Sequence, residues 1–410
     1  MSSREAWRHN LPVLVGTQFL AVAAMSAVLP FIPFFVRELG VTDRAAVERW
    51  SGLIFSGPFL AAGIMSPVWG ALGDRYGHKN MVSRAIIGLA VVNLGAAFVQ
   101  TPLQFWLLRL FQGMITGFIP AALAITSAST PPEKLPDAMG RLSASASAGR
   151  LIGPAIGGLL AGVLPFRWIF VSVGSTIALA TIAVIAFLQD PPRAAATQRA
   201  SAAGNFRFAM GDWRMRAALG GLLVSMAGVS MVMPVFPLYV EDLLEEGADP
   251  AVWTGIGFAV VAGFTLLTAT FIGRLSARFG LKNLLLGGLG VTAVALVAHP
   301  FAHHVPGMLF SRALMGVGVA AVQPVLYAMI SRRAPQGRGG GIAGFAASAS
   351  IFGFFVGPSL GGWLANGVGV RGVFWIAASI LLVCALGVAA IARREGRSRV
   401  IEPVPDQLPR

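Results

Sequence analysis

Cysteine occurs once in the 410 residues, at Cys384, tyrosine three times, and charged residues of both signs make up only 12% of the chain. A single thiol excludes a disulfide scaffold, and its place in a late apolar run points to ordinary packing. So little charge excludes a soluble globular surface, which must face water over most of its area. Instead, 56% of the residues are hydrophobic and the mean hydropathy is +0.74. Acid is scarcer than base, 17 residues against 31. An excess of base can serve nucleic acid, but here it gathers in alternate loops between apolar runs, so no nucleic acid is expected. A G-x-x-x-x-G-K-[ST] phosphate loop is missing, and the Gly-rich 338–345 stretch enters an apolar run rather than a strand–turn–helix unit, which disfavours an ATP-fuelled pump. Neither a metal site nor a cofactor site stands out, and no catalytic constellation marks an enzyme.

What is present is a series of apolar runs of the length a helix needs to cross hydrocarbon. They fall at 11–36, 51–69, 85–101, 103–127, 143–165, 168–189, 217–240, 252–273, 284–300, 306–330, 341–365 and 372–392. The first follows a short basic N-terminus with no small-residue cleavage pattern, so it is expected to be a membrane span and not a cleaved signal. The polar stretch 190–216, with Pro191 and Pro192, reads as a flexible connector between residues 1–189 and 217–392, and 393–410 as a cytoplasmic tail. With both termini inside, 23 of the 31 basic residues lie on the cytoplasmic side, a bias that fixes orientation strongly. The outer loops carry acids instead, among them Glu38, Glu48, Glu241 and Asp242. The assigned spans hold none.

Sliding the second half back by 203 or 204 positions recovers the first. Pro30 and Pro33 meet Pro234 and Pro237, Arg109 meets Arg312, Gly113 meets Gly316, and Gly153-Pro154 meets Gly357-Pro358. Gly70 to Lys79 meets Gly273 to Lys282, with Ala277 in the place of Asp74 and Arg278 in that of Arg75. Two like-oriented halves are the layout expected when one central site is exposed alternately to either side.

Over roughly residues 10–392 the sequence resembles the major facilitator superfamily, and within it the twelve-span drug:proton antiporter branch of bacterial multidrug exporters. Three motifs carry the resemblance: G-x-L-x-D-R-x-G-x-K at Gly70, Leu72, Asp74, Arg75, Gly77 and Lys79; R-x-x-Q-G at Arg109, Gln112 and Gly113; and G-x-x-x-G-P-x-x-G-G at Gly149, Gly153, Pro154, Gly157 and Gly158. The resemblance implies an all-α polytopic membrane fold, twelve helices in two six-helix halves, in the bacterial inner membrane. It also implies efflux of small amphiphilic or drug-like compounds by proton antiport. The partners would be the substrate, protons and membrane lipid, with one chain as the functional unit.

The residues themselves leave choices open. Asp74, Arg75, Lys79 and Arg278 either latch the halves at the inner face or simply anchor topology there. Arg109 is costly in a membrane unless paired or solvated; the resemblance makes it the coupling residue, with Gln112 ordering its hydrogen bonds, while plain carbonyl bonding is the other reading. Gly149, Gly153 and Gly157 share one helix face and permit close approach, and Pro154 kinks the helix, as a seal against proton leak or as packing alone. Arg150 either reaches the cavity or snorkels inward. Gln18, Met25, Phe118, Gln323 and Phe354 are candidate cavity walls. Because no acid lies in a span, proton binding falls to Asp74, to a loop acid such as Glu38 or Asp242, or to the substrate; the histidines sit near the surfaces. Arginines without acidic partners favour neutral or anionic amphiphiles. A narrow exporter of a sugar, metabolite or siderophore, and a non-transporting sensor or scaffold, are the competing readings.

Overall fold

The computed structural model describes residues 3–115, 117–131, 133–189, 202–245, 247–335 and 339–401. Every regular element among them is helical. In the first half these are α1 (Ser3–Val28), α2 (Ile32–Glu38), α3 (Arg44–Tyr76), α4 (His78–Ala96), α5 (Pro102–Ile115), α6 (Phe118–Ser129), α7 (Leu135–Ala161) and α8 (Phe166–Phe187). The second half has α9 (Ala202–Gly211), α10 (Trp213–Met231), α11 (Phe236–Leu243), α12 (Pro250–Ala269), α13 (Ile272–Ala298), α14 (Val305–Ser331) and α15 (Gly339–Ile401). Helices are the local solution when apolar surroundings offer backbone groups no water. Interior hydroxyls follow the same rule: Thr126, Thr181 and Thr292 each donate to the carbonyl four residues back. Asp212 and Asp249 cap α10 and α12, each accepting from a backbone N–H two residues on.

Among the described residues, seven helical stretches are long and apolar enough to cross a membrane: Trp7–Glu38, Phe166–Phe187, Trp213–Leu243, Pro250–Ala269, Ile272–Phe301, Val305–Ser331 and Gly341–Ile391. The last carries two of the expected spans, merged across a kink at Gly369. The spans expected at 51–69, 85–101, 103–127 and 143–165 fall on α3, α4, α5 with α6, and α7, and these do not reach the same standard. For three of them the physical reason is local: α7 is studded with Ser and Gly, α4 begins with His78 and Lys79, and the fourth span breaks between Ile115 and Phe118, with Gly117 at φ +144°. Its counterpart in the second half, α14, runs unbroken past the equivalent Ala320.

Two expectations for the polar segments change. The connector is not flexible throughout: residues 190–201 lie outside the described part, but α9 is a helix whose Phe206 ring packs on Phe345 of α15 at 5.9 Å. The tail begins as helix, α15 continuing to Ile401, and 402–410 lie outside the described part.

The repeat is written into the contacts. A Cβ at Gly149, Gly153 or Gly157 would strike the carbonyls of Phe19, Ala23 and Ala27; at Gly353, Gly357 or Gly361 it would strike those of Leu223, Ala227 and Met231. Each partner carbonyl is displaced by the same 204 positions as its glycine. Likewise Gly113 lies on Pro58 and Gly316 on Val261. Gly77 and Gly280 also share one backbone conformation, φ 90°, ψ 149° and φ 76°, ψ 156°, which glycine adopts without steric cost.

Candidate functional site

The two halves of the chain meet along α3 against α15 and α7 against α12. Gly52 on α3 faces the Pro358 carbonyl and Gly362, and Gly255 on α12 faces the Pro154 carbonyl and Gly158, so the two seams are copies of each other. The Gly–Pro motif thus has two uses. Gly149, Gly153 and Gly157 seat α7 on α1, while Pro154 and Gly158 seat it on the other half.

At the end of the bundle where α2 stops and α11 stops, charges bridge the seam. Arg37 pairs with Glu241, its own repeat counterpart, and Arg44 grips both oxygens of Asp242, one at 2.8 Å. The Arg44 Nε also reaches Glu48 at 3.4 Å. Within the first half Arg167 pairs with Glu38 and donates to the Ala97 carbonyl. Glu48 is only 4% exposed, and its backbone carbonyl lies against Gly362. Burial pushes its carboxyl above the ordinary range and Arg44 pulls the other way. Further along the seam Ser359 donates to Ser56 at 2.8 Å, the Phe59 and Phe354 rings stack at 5.3 Å, and Leu151 packs at Gly263.

Arg109 is buried on α5, where its Nη1 donates to the Gln112 Oε1 at 2.6 Å and its Nε has no hydrogen-bond partner. Gly113 lets α3 pass so close that a Cβ there would meet the Pro58 carbonyl at 2.1 Å. Arg312 is held differently. Met315 stands where the amide would be, 3.7 Å from Nη1, and the guanidinium lies flat on the Phe236 ring, 3.2 Å from its centre. Around it Tyr239 donates to the His299 carbonyl at 2.6 Å, and the His299 imidazole stacks on Phe374 at 4.9 Å. His299 is fully buried, the aromatic cage closing over it just past the end of α13.

The other candidates scatter. The side chains of Asp74 and Arg75 and the environment of Gly70 lie outside the described part; Gly77 forms the break between α3 and α4. Lys79 donates to the Ile185 carbonyl of α8 at 3.0 Å, and Arg278 lies against neighbouring Phe279. Gln18 is not a cavity wall in this arrangement: it is buried and ties α1 to α7 by donating to the Leu142 carbonyl at 2.9 Å. Phe118 is buried at the start of α6, Met25 and Gln323 are half-buried, and Phe354 closes the seam. Arg150 is exposed. Of the charged rim, Asp242 stood among the candidate proton-binding acids and Glu48 and Glu241 among the outer-loop acids, but their meeting with Arg37 and Arg44 across the seam was not expected. The one available signal was that Arg37 and Glu241 are 204 positions apart with opposite charge.

An all-helical membrane bundle with duplicated seams, a charged rim at one end and a buried arginine on each side defines a class of solute carriers. Residues 14–263 and 218–408 match the family described as the Major Facilitator Superfamily, and the chain belongs to it. It is 30% identical to the multidrug resistance protein MdtG of Enterobacter lignolyticus (strain SCF1) over 391 residues, 95% of this chain and 94% of that one. It is also 30% identical to the MdtG of Salmonella paratyphi C (strain RKS4594), covering 93% of this chain and 94% of that one. Its backbone superposes on the nucleoside transporter NupG with a TM-score of 0.79 at 14% identity, covering 93% and 98% of the two chains. At that identity the likeness concerns the fold alone.

Proposed function

We propose that this chain is a secondary active exporter that moves small amphiphilic or drug-like compounds out across the inner membrane in exchange for protons. Twelve helices in two six-helix halves, residues 1–189 and 217–392, form the pathway within one chain. The observation that carries the reading is the pair of equivalent seams, Gly52 with Gly362 and Gly255 with Gly158, together with one buried arginine in each half, Arg109 and Arg312. Rigid halves joined by glycine seams can rock about a central site. The relatives' name, multidrug resistance protein, supports export of drug-like compounds. The concentration of base in alternate loops supports cytoplasmic termini, which makes the charged rim the outer end and the conformation inward-facing. In this reading Asp74, Arg75, Lys79 and Arg278 gate the inner face, and Arg109 with Gln112 and Gly113 couples proton movement to substrate exchange.

The test uses inside-out vesicles with an acidic interior. Structurally diverse compounds are expected to release protons through the intact protein, and Arg109→Ala to abolish the release. Asp74→Asn is expected to shift the balance of conformations, read by labelling of cysteines introduced on both faces. Uptake of a labelled compound with no proton signal would remove antiport from the reading. A broad panel with no uptake at all would remove transport of drug-like compounds.

A further inference from the structure

The end of the bundle opposite the charged rim holds a feature that the export reading does not use. There α10 begins, α14 stops, and α13 and α15 pass close by, so Arg214, Lys282 and Arg333 come from three helices to the edge of one slot. Below the three cations its walls are apolar, Leu285, Leu326 and Val388 among them. The enclosed part is only about 40 Å³, close to the space of one water, so any large group stays at the mouth. Trp213 marks the depth: it is exposed at the start of α10, and the Arg214 guanidinium lies 5.6 Å from its ring. An exposed indole beside arginine is the side-chain chemistry of the membrane–water interface. Asp212, next along, uses its carboxylate to cap α10.

The repeat shows that the slot is peculiar to the second half. Arg214, Lys282 and Arg333 stand where the first half has Asn10, Lys79 and Thr130, at displacements of 204, 203 and 203 positions. Asn10 is buried, and its amide exchanges two hydrogen bonds of 2.9 Å with the Gln189 backbone, while Lys79 donates to the Ile185 carbonyl. The first half thus closes the equivalent place by tying α1 and α4 to the end of α8. In the second half the smaller Ala217, Ala218 and Gly221 replace Val13, Leu14 and Thr17, and two of the three cations are additions.

We infer that the slot binds one anionic phospholipid of the leaflet at this end, its phosphate among Arg214, Lys282 and Arg333 and its glycerol and first acyl methylenes over the apolar walls. The inference goes beyond the export reading and does not depend on it. Each of the three cations has interactions of its own in this conformation, and the phosphate adds an acceptor that all three share. Basic pockets between helices at headgroup depth hold anionic lipid with roughly a fivefold gain in affinity per cation. A free phosphate fits less well: it gives up water against apolar walls that return no hydrogen bonds, whereas a lipid covers those walls with its chain.

Native mass spectrometry of the full chain, released from a neutral detergent, reads the binding directly and without transport. The probes are phosphatidylglycerol and phosphatidylcholine with identical chains, and inorganic phosphate as a soluble competitor. The intact protein is expected to hold one phosphatidylglycerol about tenfold or more tighter than phosphatidylcholine. Arg214→Asn with Arg333→Thr, which copies the first half, is expected to weaken phosphatidylglycerol by roughly 25-fold and to leave phosphatidylcholine nearly unchanged. Arg207→Gln with Arg332→Gln removes the same charge from exposed positions outside the slot and is expected to keep the preference. If the first pair fails to fold, Lys282→Gln alone decides, with a loss of roughly fivefold expected. Equal affinity for the two lipids, or equal loss in the two double variants, overturns the inference. Displacement of the bound lipid by millimolar inorganic phosphate overturns it too, because the site is then one for a free anion.

Discussion

Arg109 and Arg312 occupy equivalent places and are stabilised by different chemistry, an amide in one half and an aromatic face in the other. A buried guanidinium that loses its acceptor keeps the full cost of being out of water, so Gln112→Met, which copies the second half, is expected to destabilise the first by roughly 1.5–3 kcal/mol. Thermal unfolding in detergent checks this, with Met315→Gln as the mild counterpart. Gly113 makes a steric prediction. Gly113→Ala drives a methyl into the Pro58 carbonyl and should cost about 1–3 kcal/mol, whereas Gly140→Ala, with nothing within 4 Å, should be neutral or slightly stabilising. Such residues were legible in the sequence as a motif, and the resemblance already set Gln112 to order the hydrogen bonds of Arg109. Nothing in R-x-x-Q-G says that Pro58 is what the glycine admits. Gln18 shows the converse: a polar residue in an apolar run suggests a cavity, yet its amide closes a helix–helix contact.

At the scale of elements, the glycine rows were readable because a helical period and a 204-residue displacement repeat them. The breaks were less so. The fourth span reads as one apolar run, but Gly117 interrupts it, and only its φ reveals that. The charged rim was invisible because its members lie at the ends of α2, α3 and α11, whose meeting depends on how the halves close. Glu48 is the instructive case: its repeat counterpart is Ala251, so the carboxylate has no copy in the second half. It faces Arg44 and Asp43 from its own segment and Asp242 from α11, while α15 offers it the backbone at Gly362. Closure brings Asp242 to an Arg44 that already sits one turn from Glu48, and burial raises the Glu48 pKa above its ordinary value. A raised pKa means that protonation favours the closed rim: the contribution is fully present below the ordinary carboxylate range and is lost as pH rises through the raised value. Acid on this face should therefore slow the labelling of a cysteine placed under the rim, and Glu48→Gln should flatten that pH profile. An identical profile in both proteins would remove Glu48 as its source.

For the whole molecule, the seam is closed at the rim by ion pairs, a serine pair and an aromatic stack, while Arg150, deeper in the bundle, is accessible. Surface pairs such as Arg44 with Asp242 are worth roughly 0–1 kcal/mol each, so the rim must be held mainly by glycine-to-backbone packing along both seams. A closure made of many weak contacts can open within a transport cycle, and a single covalent bond across it should stop the cycle. Ser56 and Ser359 have hydroxyls in direct contact across the seam, a placement that puts two thiols within reach of disulfide geometry. In a Cys384→Ala background, Ser56→Cys with Ser359→Cys is expected to transport normally when reduced and to lose nearly all uptake when oxidised, with reductant restoring it. Each single variant controls for the substitution itself. Full transport with the disulfide demonstrably formed would mean that the rim stays shut throughout the cycle, and the path for substrate would then have to lie away from the seam between the halves.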